Sequence, residues 1–161
     1  MTSRALAAPL TALVLALSAC SDGGNDAAPE VDPKEAYVEQ ASEVCTSADE
    51  EFAALTAPTT LAEFSPYVTE TVGIAERVQR ELAALAPPEQ DRAELETKVL
   101  TPFAELVEQG KAWSAKVTAA GTDQAALLPL LGERPTSAGI DKEFLREYGI
   151  ESCAQAVSKV G

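Results

Sequence analysis

The side chains that could do chemistry in this 161-residue sequence are mainly carboxylates. Aspartate and glutamate number 26 against 12 lysines and arginines, and histidine is absent from the sequence. The lack of histidine excludes Ser-His-Asp and Cys-His nucleophile pairs and histidine-ligated metal sites. The formal charge of −14 argues against a nucleic-acid partner, because phosphate backbones repel acidic proteins. The sequence also contains no glycine-rich phosphate loop and no GxSxG or SxxK motif, so we expect no catalytic, cofactor or metal site.

Three glutamates, Glu35, Glu39 and Glu43, recur every four residues near the start of the first predicted helix. This spacing places them on one helical face, where like charges repel each other. The acidic character of this helix continues one to two turns later, at Asp49, Glu50 and Glu51. We interpret these carboxylates as a solvated face that arginines on neighbouring helices partly neutralise: Arg77, Arg80 or Arg146. The alternatives are a cation site, which no calcium-loop motif supports, and a surface for a basic partner. A glycosidase-type carboxylate pair is the remaining enzymatic alternative, since spacing alone does not exclude one.

The beginning of the chain has the organisation of an export signal. One positive charge, Arg4, precedes an apolar run over residues 5–19. As a helix this run would rise about 22 Å, which is short of the ~30 Å hydrocarbon core of a membrane. It ends in the sequence Leu17-Ser18-Ala19-Cys20. This sequence resembles the lipobox of bacterial type II signal peptides, which implies cleavage before Cys20 and a diacylglycerol on its sulfur; the alternative is an ordinary secretory signal cut near residue 19.

The lipobox divides the chain into three predicted parts. Residues 1–19 form the signal peptide, residues 20–31 the lipidated N-terminus with a flexible tether, and residues 32–161 the folded domain. The expected location is the outer face of a bacterial cell membrane, where the lipid holds the protein. The mature chain resembles the small helical exported lipoproteins of high-GC Gram-positive bacteria, and this resemblance implies a place and a fold but no activity. Besides the lipobox, it rests on Cys45, Leu85-Ala86-Pro87-Pro88 and Tyr148-Gly149-Ile150-Glu151-Ser152-Cys153.

The elements that must position these residues are all predicted to be helices, arranged as an antiparallel bundle of about four main ones. The first starts at the capping sequence Asp32-Pro33-Lys34-Glu35 and ends at Pro58. The second starts at Ser65-Pro66 and ends at Pro87-Pro88. Apolar side chains recur along both at steps of three and four residues, which predicts one buried face on each helix. No segment shows the alternation typical of a strand.

The second half of the chain is predicted to contain one long helix and two shorter ones. The long helix runs from Pro88 to Ala120, with a kink at Pro102 and an end at Gly121. A short buried helix follows, built from the leucines of residues 127–131 and broken by Pro129. The last predicted helix begins at the N-cap Asp141 and ends in a Schellman motif formed by Tyr148, Gly149 and Ile150.

Two cysteines, Cys45 and Cys153, remain once Cys20 is assigned to lipidation. An even pair in an exported protein predicts a disulfide, and the alternatives are two separate buried thiols or a thiol kept for redox chemistry. Residues 152–161 offer few large apolar side chains, so we expect the disulfide to hold this end of the chain to the first helix.

Trp113, the single tryptophan, lies on the apolar face of the third predicted helix. We assign it to the core, and the alternative is a stacking platform for a ligand. Three tyrosines, Tyr37, Tyr67 and Tyr148, occupy similar inner positions. The expected function is that of a lipid-anchored, non-enzymatic interaction or binding module, with a partner in the cell envelope. The alternatives are a carrier of a small apolar ligand in the bundle core and a carboxylate-based hydrolase.

Overall fold

Helices make up all the regular structure in the described part of the chain, which is residues 31–160 of a computed structural model. No strand occurs within those residues, so the all-α prediction is confirmed. The predicted signal peptide, the lipidated Cys20 and the predicted tether up to residue 30 lie outside the described residues. The helices are α1 (Pro33–Ala54), α2 (Leu61–Ala84), α3 (Arg92–Leu95), α4 (Thr101–Ala120), α5 (Gln124–Gly132), α6 (Lys142–Tyr148) and α7 (Glu151–Val160).

Helix α1 starts where the capping sequence predicts. The Asp32 carboxylate accepts a hydrogen bond of 2.8 Å from the backbone N–H of Lys34, and Pro33 occupies the first turn. Helix α1 packs against α2 and α7, while α2 packs against α4. Helix α2 therefore lies between α1 and α4, and all three contribute side chains to one apolar core.

The predicted start of α2 is wrong by five residues, because the N-cap is Thr60 instead of Ser65 and Pro66 lies inside the helix. The Glu63 carboxylate reaches back to accept hydrogen bonds from the backbone N–H groups of Thr59, at 2.8 Å, and Thr60, at 3.2 Å. The Thr59 hydroxyl donates a third bond to it at 3.0 Å. These donors, that of the Thr59 backbone foremost, lower the pKa of Glu63. The cap at Thr60 thus outweighs the single helical hydrogen bond that Pro66 removes.

The long third helix also differs from its prediction at the start. A turn closed by a 3.0 Å hydrogen bond from Asp91 N–H to the Pro88 carbonyl comes first, and the helix begins only at Arg92. A π-helical segment, Glu96–Leu100, lies between α3 and α4, just before the site of the kink predicted at Pro102. Since Pro102 has no N–H, the Lys98 carbonyl is free to accept one from Asp141, at 3.0 Å. The proline therefore helps to attach the loop before α6 to the helix.

The three later cap predictions, at Asp141, Gly149 and Gly121, are confirmed. The Asp141 carboxylate accepts a 2.8 Å hydrogen bond from Phe144 N–H, and Gly149 ends α6 with a φ of 106°. Ile150 N–H then bonds the Leu145 carbonyl at 2.8 Å, and Ile150 itself is buried, as a Schellman motif requires. Gly121 ends α4 with a φ of 59°.

Helix α5 is neither broken at Pro129 nor buried along its length, so this prediction is wrong on both points. The Asp123 carboxylate caps it through a 2.9 Å hydrogen bond from Ala125 N–H. Only Leu127 is buried, while the side chains of Leu128 and Leu131 are 58% and 52% exposed. The reason is that α5 packs on one side, against α4, and turns its other face to solvent.

The last ten described residues form α7, an amphipathic helix that the sequence analysis did not predict. It buries Cys153, Ala154, Ala156 and Val157 and packs along α1. The predicted disulfide joins Cys45 of α1 to Cys153 of α7, with their Cα atoms 4.9 Å apart. The C-terminal end is therefore held by helix packing as well as by the covalent bond.

A group of aromatic and charged side chains attaches α6 to the rest of the bundle. The Tyr148 hydroxyl donates a 2.7 Å hydrogen bond to the Asp91 carboxylate, and the Lys34 ammonium lies 4.2 Å from the centre of the Tyr148 ring. The Tyr37 ring meets that of Tyr148 edge-on, with centroids 6.2 Å apart. Burial, and then the hydrogen bond to Asp91, raises the pKa of Tyr148.

Candidate functional site

The glutamates singled out in the sequence do not form a site. Glu35, Glu39 and Glu43 are exposed on α1, and no lysine or arginine of residues 31–160 forms an ion pair with them. Of the three arginines expected to neutralise the face, Arg77 bonds Glu51 and Glu81, at 2.6 and 2.7 Å, and Arg146 lies 3.7 Å from Glu151. Nowhere in the described residues do three carboxylates or thiols group as metal ligands. The face is solvated, as predicted, and its neutralisation is partial: Arg77 pairs with Glu51 near the end of α1, while the first three glutamates have no cationic partner among the described residues.

The most developed concave site is an apolar pocket of about 160 Å³ beside Trp113, which we call the Trp113 pocket. Three aromatic rings line it: Phe64 and Tyr67 from α2 and Trp113 from α4. The aliphatic part of its wall is formed by Val68, Val72, Leu106 and Val107. An enclosed apolar space of about this volume is large enough to hold a single six-membered ring. The pocket therefore matches a small apolar group in both size and surface.

The pocket exists because the buried side chains form two separate clusters. The larger cluster spans α1, α2, α4, α6 and α7, and the smaller one centres on Val68, Val117 and Leu127, with Trp113 packed against it. The pocket is lined from both clusters and lies where they meet. Small residues, Thr71, Ala75 and Gly110, face it at this junction. A Cβ atom at Gly110 would lie 3.5 Å from a methyl of Val72, so one added carbon would make ordinary van der Waals contact there.

Trp113 is held in a fixed orientation at the edge of the pocket. Its indole Nε1–H donates a 2.7 Å hydrogen bond to the carbonyl of Leu130, in the last turn of α5. The same carbonyl also accepts a 3.1 Å hydrogen bond from Glu133 N–H, so the indole is its second donor. The Phe64 ring meets the indole edge-on, with centroids 6.3 Å apart. Trp113 is half-buried, so the core assignment holds in part: it packs with the smaller cluster and presents a face to the pocket.

The charged residues that line the Trp113 pocket are both basic, although acids outnumber bases 26 to 12 in the chain. Arg134 comes from the loop after α5, where Pro135 follows it, and Lys159 comes from the end of α7. Lys159 pairs with Asp49 of α1. Arg134 has no carboxylate within ion-pair distance among residues 31–160, because its neighbour Glu133 bonds Lys116 instead, at 2.7 Å. The pocket therefore has apolar walls and a positively charged edge.

No carboxylate lines the Trp113 pocket, whereas a glycosidase-type mechanism needs two in one cleft. Among the described residues, no helix is long and apolar enough to cross a membrane. Comparison of the chain with known protein families, with curated proteins and with solved structures gives no match.

Sequence reasoning gave a ligand site beside Trp113 only as an alternative, and it missed Arg134 and Lys159. Periodicity places Trp113 and Val107 on the same helix, but the space between α2 and α4 depends on how two helices pack. The one available signal was Gly110, a residue without a side chain in the middle of an otherwise apolar helical face.

Proposed function

We propose that this protein is a lipid-anchored, non-enzymatic binding protein of the bacterial cell envelope that holds a small apolar ligand in the Trp113 pocket. The observation that carries the proposal is the pocket: about 160 Å³, with aromatic and aliphatic walls, beside the single tryptophan. Of the functions considered from the sequence, the carrier of an apolar ligand is the one that requires such a space. The expected absence of a catalytic group fits the same proposal.

The anchoring part of the proposal rests on Leu17-Ser18-Ala19-Cys20 and on the disulfide. Disulfides persist mainly in exported proteins, because the cytosol keeps thiols reduced. Cys20→Ala should block lipid attachment and leave precursor or released protein, while Ser21→Ala, at the adjacent position, should remain in the membrane fraction. The anchoring would be disproved if mass spectrometry of the wild type found an unmodified N-terminus at a residue other than Cys20.

Ligand binding can be measured at the tryptophan itself. A ¹⁵N-labelled sample has one indole N–H signal, from Trp113, and toluene is a neutral probe of the right size. We expect a saturable shift of that signal with a dissociation constant on the order of 1 mM, equivalent to about −4 kcal/mol.

A pair of variants at Gly110 tests whether the probe occupies this pocket. Gly110→Ala adds one carbon, at 3.5 Å from Val72, and should leave toluene binding intact. Gly110→Leu places three further carbons at the pocket wall and should abolish binding. Both substitutions remove a helical glycine, so they differ only in volume. Equal toluene binding by the two variants would contradict the proposal.

A protein partner is a second candidate function, supported by the exposed leucines of α5. Leu128 and Leu131 are more than half exposed, and soluble monomers seldom group such side chains on one helix without a use. A photo-crosslinking residue at position 128, in the protein's own cells, should then capture a defined envelope protein. The same residue at Glu39, on the solvated face of α1, is the control and should not capture it.

A further inference from the structure

We infer that the ligand of the Trp113 pocket is a small anionic amphiphile: an apolar group about the size of one ring, carrying a carboxylate or a comparable anion that Arg134 and Lys159 bind. This inference rests on the proposed function, since it specifies the ligand class of the same pocket. It is carried by the charges at the pocket edge, which are independent of the apolar walls.

The first argument is the sign of those charges. In a chain with 26 acidic and 12 basic side chains, both charged residues lining the pocket are basic. A neutral apolar ligand would need no charge there, and a cationic ligand would be repelled by both residues. An anion at the edge would meet Arg134 and also Lys159, whose charge Asp49 partly compensates, while its apolar part stayed against the aromatic rings of the pocket.

The second argument is that Arg134 is available. Its side chain is exposed, and within residues 31–160 no carboxylate lies within ion-pair distance of it. An arginine presents a planar fork of N–H donors, which suits a carboxylate or phosphate in particular. The neighbouring acid, Glu133, is engaged by Lys116, so it does not compete for Arg134.

The third argument concerns the net charge of the protein, which would repel an anion at long range. Salt limits that repulsion to about 8 Å at physiological ionic strength, so contacts at the pocket edge decide the preference. The carboxylate of Asp49 forms an ion pair with Lys159, so its charge is already compensated. The anion would approach this ion pair from the pocket side, and Arg134 would be its main contact.

The test compares two probes of one shape, phenylacetate and phenylacetamide, which differ only in charge. Both should shift the Trp113 indole signal, and phenylacetate should bind more tightly at low salt, by up to about fivefold, which is the upper end of what one exposed ion pair contributes. Added sodium chloride should reduce the affinity for phenylacetate and leave that for phenylacetamide unchanged.

A matched pair of arginine variants identifies the contact. Arg134→Gln removes the charge, leaves a shorter polar side chain and should remove most of the preference for phenylacetate. Arg80→Gln removes another exposed arginine that has no ion pair among the described residues and lies away from the pocket, so it should leave the preference unchanged.

The two proposals fail in different ways. If toluene and phenylacetamide bind but phenylacetate binds no better, the anion inference is overturned and the apolar pocket stands. The anion inference is also overturned if the preference for phenylacetate is unchanged in Arg134→Gln, because another group then binds the carboxylate. If none of the three probes shifts the Trp113 signal, the proposed function fails together with the inference.

Discussion

Removal of the disulfide should destabilise the domain mainly through its unfolded state. The bond closes a loop of 108 residues between α1 and α7. In the chain-entropy model, a loop of this length corresponds to about 4.8 kcal/mol at 25 °C, and exported domains commonly lose about 2–5 kcal/mol when a native disulfide is removed. The folded state should change little, since Ala154, Ala156 and Val157 bury α7 against the core without help from the sulfurs.

Three variants measure this effect: Cys45→Ala, Cys153→Ala and the double substitution. Each should lower the free energy of unfolding in urea by about the same 2–5 kcal/mol, with the double variant no worse than either single one. The urea m-value should rise in all three, because an uncrosslinked unfolded chain exposes more surface. Circular dichroism of the native variants should match the wild type, since α7 remains a helix.

The single variants need one control, because each leaves an unpaired thiol that could form dimers. Alkylation of that thiol in the unfolded state, or measurement with reductant present, removes this complication. The reasoning is refuted if the two single losses add in the double variant, as they would for independent core residues. It is refuted equally if the unfolded, non-reduced wild type reacts with Ellman's reagent at two thiols.

Three further predictions concern a turn, a buried phenol and a helix cap. Gly149→Ala should lower the free energy of unfolding by about 1–2 kcal/mol, because a φ of 106° strains any side chain, whereas Gly73→Ala in α2 should raise it by about 0.5–1 kcal/mol. Tyr148→Phe should cost about 1–2 kcal/mol through the lost hydrogen bond to Asp91. The pKa of Tyr148 is higher in the folded state than in the unfolded state, so the stabilisation that its hydroxyl provides is fully present below pH 10 and is lost at higher pH. In thermal melts, Tyr148→Phe should therefore lose less stability than the wild type as the pH is raised. The Glu63 carboxyl, followed by NMR, should titrate with a pKa below 4.5. Because this pKa is lowered in the folded state, the stabilisation that Glu63 provides is present at neutral pH and is lost on acidification. An ordinary glutamate pKa would contradict the cap.

Local signals in the sequence predicted the parts of the fold that local chemistry determines. Asp32 and Asp141 cap helices where expected, and Gly149 ends α6 in the expected motif, because each depends on a few adjacent residues. The start of α2 was misplaced because Pro66 has the stronger general preference for a helix start, while the cap that forms depends on Glu63. That cap is also local, and its spacing from Thr60 is visible in the sequence.

Features that depend on packing between helices could not be predicted in the same way. Helix α7 presents small side chains such as Ala154 and Ala156, which weigh little in a hydrophobic pattern but allow close approach to α1. The sequence predicts that α5 is buried, because Leu128 and Leu131 are apolar and the pattern does not show that they face solvent. The pocket and its charged edge join residues from α2, α4, α7 and a loop, and no stretch of sequence contains that arrangement.

The disulfide also determines how the domain would respond to mechanical load. If the described segment were pulled at its two ends, tension would pass through the first half of α1, across the covalent bond and into α7. Only the residues before Cys45 and after Cys153 could be drawn out. The 108-residue span between them, about 370 Å when fully extended, would bear no load. Helices α2 and α4, which form most of the Trp113 pocket, lie within that shielded span and would keep their packing under tension.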